Sequence, residues 1–270
     1  MFEKLSHVTF ISKLMIVNRS TYIDKLQRSK GNGLIKIITG LRRSGKSFLL
    51  KKLFRQHLLD EGVSDDHIII IDMESRKNKL FKDPDYLLDW LDGRMVDDST
   101  YYIIVDEVQE VKDFVEVLSS LSVTEGTDVY VTGSNSRFLS SDVVTEFRGR
   151  GDEIHVWPLS FHEFMSVYEG SKEDGWAEYL MYGGLPQLLT QDGDDKKSEF
   201  LRRLYRTVYL RDIYERNNIE LKPEFEELSQ ALASSIGAPV NASNIANTFK
   251  SVSNVRNISD KTVSTYLEYM

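Results

Sequence analysis

Two hydrophobic patterns alternate along the first 160 residues of this chain. Short apolar runs rich in β-branched residues predict buried strands, at residues 34–39, 68–71, 101–105, 128–132 and 153–157. Between these runs, apolar residues recur at the spacing of amphipathic helices, at residues 49–58, 86–91 and 111–121. Strands that alternate with helices predict an α/β fold with a parallel sheet and helices on both of its faces.

The strand pattern stops near residue 160, and helical spacing continues to the end of the chain. We expect helices at 161–167, 177–182 and 198–216, and then three short helices at 224–235, 243–250 and 259–270. Ser243 and Ser259 are suitable N-cap residues for the last two. The predicted organisation is an N-terminal extension (1–17), an α/β core (18–168), a helical region (169–222) and a C-terminal helical module (223–270).

The residues that follow the first predicted strand give the most specific indication of function in the sequence. Residues 40–47 read GLRRSGKS and fit G-x-x-x-x-G-K-[ST] at every constrained position. A strand, a tight loop and a helix in this order surround a phosphate with backbone N–H groups and a positive helix N-terminus. Lys46 is expected to reach the β- and γ-phosphates and Ser47 to bind Mg²⁺, so the sequence predicts nucleoside triphosphate binding. The residues expected to contact the nucleotide are Gly40, Leu41, Arg42, Arg43, Ser44, Gly45, Lys46, Ser47 and Phe48.

Hydrolysis of a bound triphosphate requires a metal ligand and an activated water. The third predicted strand ends in Asp106 and Glu107, which places one carboxylate beside the metal and a second carboxylate one residue further. Asp106 is expected to hold Mg²⁺ through coordinated waters, because this ion loses its hydration shell reluctantly. Glu107 is expected to act as the general base.

A hydrolytic site also needs a polar group and an arginine near the γ-phosphate, and for each of them the sequence offers two candidate residues. A hydroxyl or amide group near the γ-phosphate is expected after the fourth strand, where Ser134 and Asn135 are both suitable. An arginine that neutralises the γ-phosphate is expected before the fifth strand, where Arg148 and Arg150 are both candidates. This arginine would act in its own chain or from a neighbouring subunit of a homo-oligomer. Polar turns and solvated arginines are the competing interpretations.

Composition and charge restrict the class of protein. The chain has 270 residues and no cysteine, which excludes disulfide frameworks and zinc–thiolate sites. Its formal net charge of −8 argues against an overall positive surface for nucleic acid. The apolar runs are strand-length, and the N-terminal residues lack the pattern of a signal peptide. We therefore expect a cytoplasmic protein without membrane contact.

The ordered set of motifs resembles prokaryotic ATPases of the AAA+ superfamily that carry a C-terminal domain of unknown function. The resemblance covers about residues 15–270 and implies an ASCE-type P-loop NTPase sheet of strand order 5-1-4-3-2, ATP with Mg²⁺, and a winged-helix module at 223–270. Lys46, Asp106 and Glu107 match the family's phosphate-loop lysine, metal carboxylate and catalytic acid, and the family's Gly-Arg dipeptide favours Arg150 over Arg148. The stretches that carry the resemblance are IKIITGLRRSGKSFLL, YYIIVDEVQ, VTGSNS, WPLSFHEF, YLMYGGLPQLL, YRTVYLRDI and ISDKTVSTYLEYM.

The chain departs from the family pattern at both ends. The usual family start resembles residues 15–19, so residues 1–14 are interpreted as an extension. The chain stops at Met270, inside the third helix of the winged-helix module. We therefore interpret the module as partial, and the family's restriction-endonuclease-like C-terminal domain as missing from a truncated form.

Other enzyme classes fit the sequence less well. The chain has no guanine-reading N-K-x-D motif, and the Asp-Glu pair favours water over the acceptor of a small-molecule kinase. A nuclease site built from Glu110 and Lys112 lacks an acid on a second strand, because Asp106 lies on the same segment.

The alternative to an ATPase is a protein that binds DNA or another protein under the control of a nucleotide. A nucleotide-gated binding protein would use ATP to present a surface, with slow hydrolysis as a reset. The last predicted helix carries few basic residues for a DNA-reading helix, since Asp260 and Glu268 offset Lys261. The better electrostatic candidate is a basic arc formed by Arg202, Arg203 and Arg206 with Lys196 and Lys197, for which a solvated helix face is the competing interpretation.

Overall fold

The computed structural model describes residues 16–133, 150–235, 237, 239–252 and 259–269. Its strands are β1 (Ile35–Thr39), β2 (Ile68–Asp72), β3 (Tyr101–Asp106), β4 (Thr127–Thr132) and β5 (Gly151–His155). They form one parallel sheet in the order β2-β3-β4-β1-β5. This order confirms the implied 5-1-4-3-2 sheet, read from the opposite edge.

Helices connect these strands. Helix α1 (Ser20–Ser29) precedes β1, and α2 follows the loop after β1 as three consecutive segments, Lys46–Phe48, the π-helical Leu49–Phe54, and Arg55–Asp60. Further helices are α3 (Pro84–Asp92), α4 (Phe114–Leu121), α5 (Phe161–Met165) and α6 (Lys172–Tyr182). Short 3₁₀ turns lie at Asp65–His67, Arg76–Lys82, Val108–Glu110 and Pro186–Thr190.

The strands bury side chains on both faces of the sheet. On one face Ile37 packs in a cluster with Leu118 of α4. On the other face Ile38 packs in a second cluster with Leu26 of α1 and Leu50 of α2. Coverage of both faces is the reason that the strands read as continuous apolar runs.

One buried charge interrupts this apolar pattern. Lys36 in β1 is fully buried and forms an ion pair with the buried Asp128 of β4. The hydroxyl of Tyr130 donates to the same carboxylate at 2.9 Å, and the backbone N–H of Gly31 donates at 3.0 Å. The lysine is tolerated in the core because the carboxylate that faces it is itself fully hydrogen-bonded.

The strand register brings polar strand ends to one edge of the sheet. Asp72 of β2 pairs with Asp106 of β3, Thr132 of β4 pairs with Ile38, and Thr39 of β1 pairs with His155 of β5. All the strands are parallel, so these residues mark the carboxyl edge, where ligands of open α/β sheets bind.

Several element boundaries differ from the sequence-based expectation, and helix α1 was not expected; β5 and α4 show the physical reasons most clearly. Strand β5 starts at Gly151 because its pairing with β1 begins opposite Ile35, although Asp152 and Glu153 hide the strand pattern in the sequence. Helix α4 starts at Phe114 because Asp113 has a left-handed backbone, with φ of 49°.

The chain divides into two compact units, Met1–Phe200 and Leu201–Met270. The long helix α7 runs through the consecutive segments Asp194–Leu204, Tyr205–Tyr209 and Leu210–Asn217, and the later helices are α8 (Lys222–Ser234), α9 (Ala242–Val252) and α10 (Asp260–Glu268). The core of the second unit includes Leu210, Phe225, Leu228, Val263 and Tyr266. Helices α8 to α10 correspond to the three short helices expected from the sequence, while the four-segment domain division stays a prediction.

Candidate nucleotide site

Glycine is required at both constrained glycine positions of the loop between β1 and α2. Gly40 has φ of +130°, and a Cβ atom there would lie 2.2 Å from the carbonyl oxygen of Val156. Gly45 has φ of +99° and caps the N-terminus of α2. Side chains at these positions would strain the backbone or collide with the segment after β5, so the motif spacing reflects the geometry of the loop.

Lys46 lies inside the loop. Its side chain is 5% exposed, and its Nζ donates to the carbonyl oxygens of Gly40 at 2.9 Å and Leu41 at 3.0 Å. Burial lowers the pKa of Lys46 to about 8, although the carboxylates of Glu107 and Asp106 oppose this shift. Burial thus weakens the preference of the amine for its charged form, and an anionic ligand would strengthen this preference again.

The other loop residues differ in exposure. Leu41 is 45% exposed, whereas Arg42 and Phe48 are half-buried. The guanidinium of Arg43 donates to Gln187 Oε1 at 2.5 Å, which ties the loop to the turn Pro186–Thr190. Ser44 is fully buried, and its hydroxyl has no hydrogen-bond partner among the described residues. A buried hydroxyl of this kind fits a loop that binds phosphate oxygens.

Asp106 and Ser47 come together at the carboxyl edge. The Ser47 hydroxyl donates to Asp106 Oδ1 at 2.9 Å, and the carboxylate is 5% exposed. A hydroxyl oxygen and a carboxylate oxygen are the hard ligands that Mg²⁺ prefers. Partial burial raises the pKa of the nearby Glu74, and the carboxylates of Glu107, Asp72 and Asp106 raise it further. The donor atoms and this concentration of negative charge fit a divalent cation.

Glu107 has a strained backbone. Its φ of 58° and ψ of 51° lie in the left-handed region, which is uncommon for residues other than glycine and asparagine. Its backbone N–H donates to Thr132 Oγ1 at 3.1 Å, and its carboxylate accepts from Gln109 Nε2 at 2.5 Å. Strain of this kind clusters at active sites, and here it turns the chain immediately after Asp106.

Thr132 is a site residue that the sequence analysis did not single out. Its hydroxyl donates to Asp106 Oδ1 at 2.5 Å and accepts the backbone N–H of Glu107. One fully buried threonine at the end of β4 therefore orients both predicted acids. One feature of the sequence could have pointed to Thr132. It is the last residue of the predicted strand 128–132, directly before the polar turn in which Ser134 and Asn135 were the expected candidates.

Replacing Thr132 by Val is expected to destabilise the fold by about 1–3 kcal/mol, because the Glu107 amide loses its acceptor and Asp106 loses a donor. Thr132→Ser keeps the hydroxyl and serves as the matched control. Urea unfolding followed by circular dichroism compares the two variants. Equal stability of the Val and Ser variants would show that the hydroxyl does not contribute.

Arg19 is the second residue that the sequence did not reveal. Its side chain is 4% exposed, and its guanidinium donates to the carbonyl oxygens of Ser44 at 2.9 Å and Trp157 at 2.8 Å. It also forms an ion pair with Glu163 at 3.0 Å and lies over the ring of Tyr22 at 4.4 Å. Arg19 thus joins the phosphate loop to the segment after β5 and to the start of α5.

Of the remaining predicted residues, Arg150 alone lies within the described part of the chain. Ser134, Asn135 and Arg148 lie outside the described residues. Arg150 directly precedes β5, and its carbonyl oxygen accepts the backbone N–H of Ile35. It is therefore at the amino edge of the sheet, about 16 Å of strand away from the loop. This position gives no support to its acting on a nucleotide held by its own chain.

Two family models match the chain. Residues 32–165 match an AAA domain, and residues 173–270 match a domain of unknown function (DUF8612). An uncharacterized protein of Haemophilus influenzae is 31% identical over 266 residues, which cover 96% of this chain and 65% of that protein. The uncharacterized protein MJ1544 of Methanocaldococcus jannaschii is 26% identical over 287 residues, which cover 100% of this chain and 61% of that protein. The chain therefore spans less than two thirds of the length of these relatives.

Two similar solved structures share little sequence with this chain. The Aeropyrum pernix ORC1 protein in complex with DNA aligns with a TM-score of 0.43 at 12% identity, over 94% of this chain and 83% of that one. The C. elegans PCH-2 protein aligns with a TM-score of 0.39 at 16% identity, over 92% and 65% of the two chains. Neither likeness carries an argument about function.

Among the described residues, no helix has the length and apolar character needed to cross a bilayer. The glycine-constrained loop, the parallel sheet and the matched family model agree on the class of fold. Residues 32–165 therefore have the parallel sheet of the P-loop NTPase fold and match the model of an AAA domain, and they precede a helical region that matches a family of unknown function.

Proposed function

We propose that this chain binds ATP with Mg²⁺ and hydrolyses it to ADP and phosphate. The observation that carries the proposal is the convergence of Lys46, the Ser47–Asp106 pair and Glu107 on one edge of the sheet. The loop and Lys46 would hold the β- and γ-phosphates, and Ser47 and Asp106 would hold the metal. When bound, Mg²⁺ would neutralise charge on the phosphates. Glu107 would accept the proton of the attacking water.

The arginine that completes the site is proposed to come from a neighbouring subunit. Arg150 is exposed at the amino edge of the sheet, and the loop is at the carboxyl edge of the same sheet. An exposed arginine in this position would be able to reach the nucleotide that a second copy of the chain holds in a homo-oligomer. Arg148 stays an alternative for the same role.

Turnover per subunit, measured as phosphate release over a range of protein concentrations, tests this function. We expect Mg²⁺-dependent release whose rate per subunit rises steeply with concentration, because the site would be completed between subunits. A flat and appreciable rate would place all catalytic groups in one chain. Tight ATP binding without turnover at every concentration would contradict hydrolysis by this chain and favour the second candidate function.

The second candidate function is nucleotide-gated binding of DNA or protein, and the charge distribution favours it. Residues Met1–Phe200 contain 25 Lys and Arg against 34 Asp and Glu, whereas Leu201–Met270 contain 9 against 8. The acidic excess is thus confined to the first unit. Helix α7 exposes Arg202, Arg203 and Arg206, while Lys197 is paired with Glu178 at 2.5 Å and contributes less to the basic arc.

Helices α8 to α10 would supply the helical part of a winged-helix module in this second function. Salt-dependent binding of a DNA duplex, measured with ATP and with ADP, tests the gating. A difference in affinity between the two nucleotide states would support it, and identical binding in both states would reject it. The Arg202→Gln/Arg206→Gln double variant should reduce the salt dependence if the arc contacts phosphates.

A further inference from the structure

Lys51 makes a contact that neither the motifs nor the proposed function explains. Its Nζ lies 2.7 Å from Asp106 Oδ2 and 2.8 Å from Asp72 Oδ2, so that one ammonium bridges the ends of β3 and β2. The lysine belongs to the π-helical segment Leu49–Phe54 of α2, and π-helical turns occur frequently at functional sites. A protein cation thus occupies one carboxylate oxygen of the residue proposed to bind the metal.

An ammonium and a magnesium ion cannot share this carboxylate without repulsion. Like charges a few Å apart in a partly solvated site change a cation's affinity by about tenfold or more. Lys51 is able to move, because its charge lies at the end of a flexible stem and its side chain is 26% exposed. Asp72, whose side chain is 38% exposed, is a second anion at which the ammonium would stay.

We propose that Lys51 is a tethered cation that competes with Mg²⁺ for Asp106 and so sets the metal concentration at which the site fills. Without metal, Lys51 balances the charge of Asp106. When metal binds, the ammonium leaves Asp106 and remains on Asp72. This inference rests on the proposed ATPase function, and Lys51 would act through Asp106 without touching the reacting atoms.

A purely structural role for Lys51 predicts the opposite result. If the lysine only orients Asp106, its removal would misplace the carboxylate and weaken metal binding. If it competes, its removal would strengthen metal binding. The sign of the change therefore separates the two roles.

The test is a Mg²⁺ titration of the full chain with saturating ADP, followed by the thermal shift of the protein and by calorimetry. We expect Lys51→Gln to lower the half-saturating Mg²⁺ concentration by about tenfold. Lys52→Gln is the matched control, since it removes the same charge from an exposed position of the same helix and should change the value less than about twofold. An unchanged or higher value for Lys51→Gln would overturn the proposal.

A second variant tests the contact itself. Asp72→Asn removes the alternative anchor of Lys51, so the ammonium should hold Asp106 more strongly and raise the half-saturating Mg²⁺ concentration. In the Lys51→Gln background this increase should largely disappear. An equal increase in both backgrounds would show that Asp72 acts on the metal directly, which would overturn the competition.

ADP binding in EDTA separates this proposal from the proposed function. If the wild-type chain binds no ADP either with Mg²⁺ or in EDTA, both proposals fail. If it binds ADP but Lys51→Gln does not lower the Mg²⁺ requirement, only the role of Lys51 fails.

Discussion

Lys46→Ala is expected to weaken ATP binding by at least about 100-fold, since it removes the constrained lysine of the motif, whose full positive charge is expected to reach the β- and γ-phosphates. In the structure this charge is buried and held by the carbonyl oxygens of Gly40 and Leu41, on the loop itself. Replacement by Ala leaves the glycines and the helix N-terminus unchanged. The residual affinity should therefore reflect the loop backbone together with the remaining side chains of the site.

Calorimetric titration with ATP and Mg²⁺ measures this change. Lys52→Ala is the matched control, because Lys52 is exposed on the same helix and its removal changes the net charge equally. An affinity of Lys46→Ala within a few-fold of the wild type would contradict the assignment of the loop as the triphosphate site. Near-native circular dichroism of the variant would show that the loss is local.

The same amine should control the pH dependence of ATP binding. Burial lowers the pKa of Lys46 to about 8 in the free protein, and phosphate oxygens would raise it in the complex. Below pH 8 the amine is protonated in both states, so the ATP affinity should not depend on its titration. Above pH 8 binding requires proton uptake, and the affinity should fall by up to about tenfold per pH unit. A flat affinity across this range would contradict the assignment.

Glu107→Gln is expected to bind ATP normally and to release phosphate about 10²–10⁴-fold more slowly than the wild type. The amide of Gln cannot accept the proton of the attacking water, but it can still accept the hydrogen bond from Gln109. The hydrogen bond from the Glu107 backbone to Thr132 does not involve the side chain and should persist. The change therefore removes a base with little disturbance of the site.

Glu110→Gln is the matched control for this prediction. It makes the same chemical change on the adjacent 3₁₀ turn, where Glu110 is 45% exposed and paired with Lys82 at 2.7 Å. Single-turnover phosphate release and equilibrium ATP binding separate chemistry from affinity. Turnover at the wild-type rate in Glu107→Gln would remove Glu107 as the general base.

The strands were accessible from the sequence because local apolar runs encode them, whereas only the family resemblance implied their order. Apolar runs such as 101–105 are buried on both faces, and the order implied by the family resemblance agrees with the observed sheet. Strand polarity then places Asp106 at the same edge as the phosphate loop, because parallel strands share their carboxyl ends. The approach of Ser47 to Asp106 is a consequence of this polarity.

The residues that the sequence analysis missed make contacts between distant parts of the chain, whereas the errors in element boundaries have local causes. Lys51 and Thr132 reach Asp106 from a helix and from a neighbouring strand, and no local pattern distinguishes them from other lysines and threonines. Edge strand β5 was displaced in the sequence-based prediction because polar residues interrupt its apolar pattern. Its true register decides that Arg150 lies away from the loop.

By itself, the sequence of this protein predicted the glycine-constrained loop after β1, the two acids at the end of β3 and the alternation of strands and helices. These features depend on neighbouring residues, through backbone conformation and hydrophobic periodicity. The tertiary structure alone decided which side chains surround Asp106, that Arg19 supports the loop, and at which edge of the sheet Arg150 lies. These contacts depend on strand order and register, which bring together residues far apart in the chain and leave no signal at any one position.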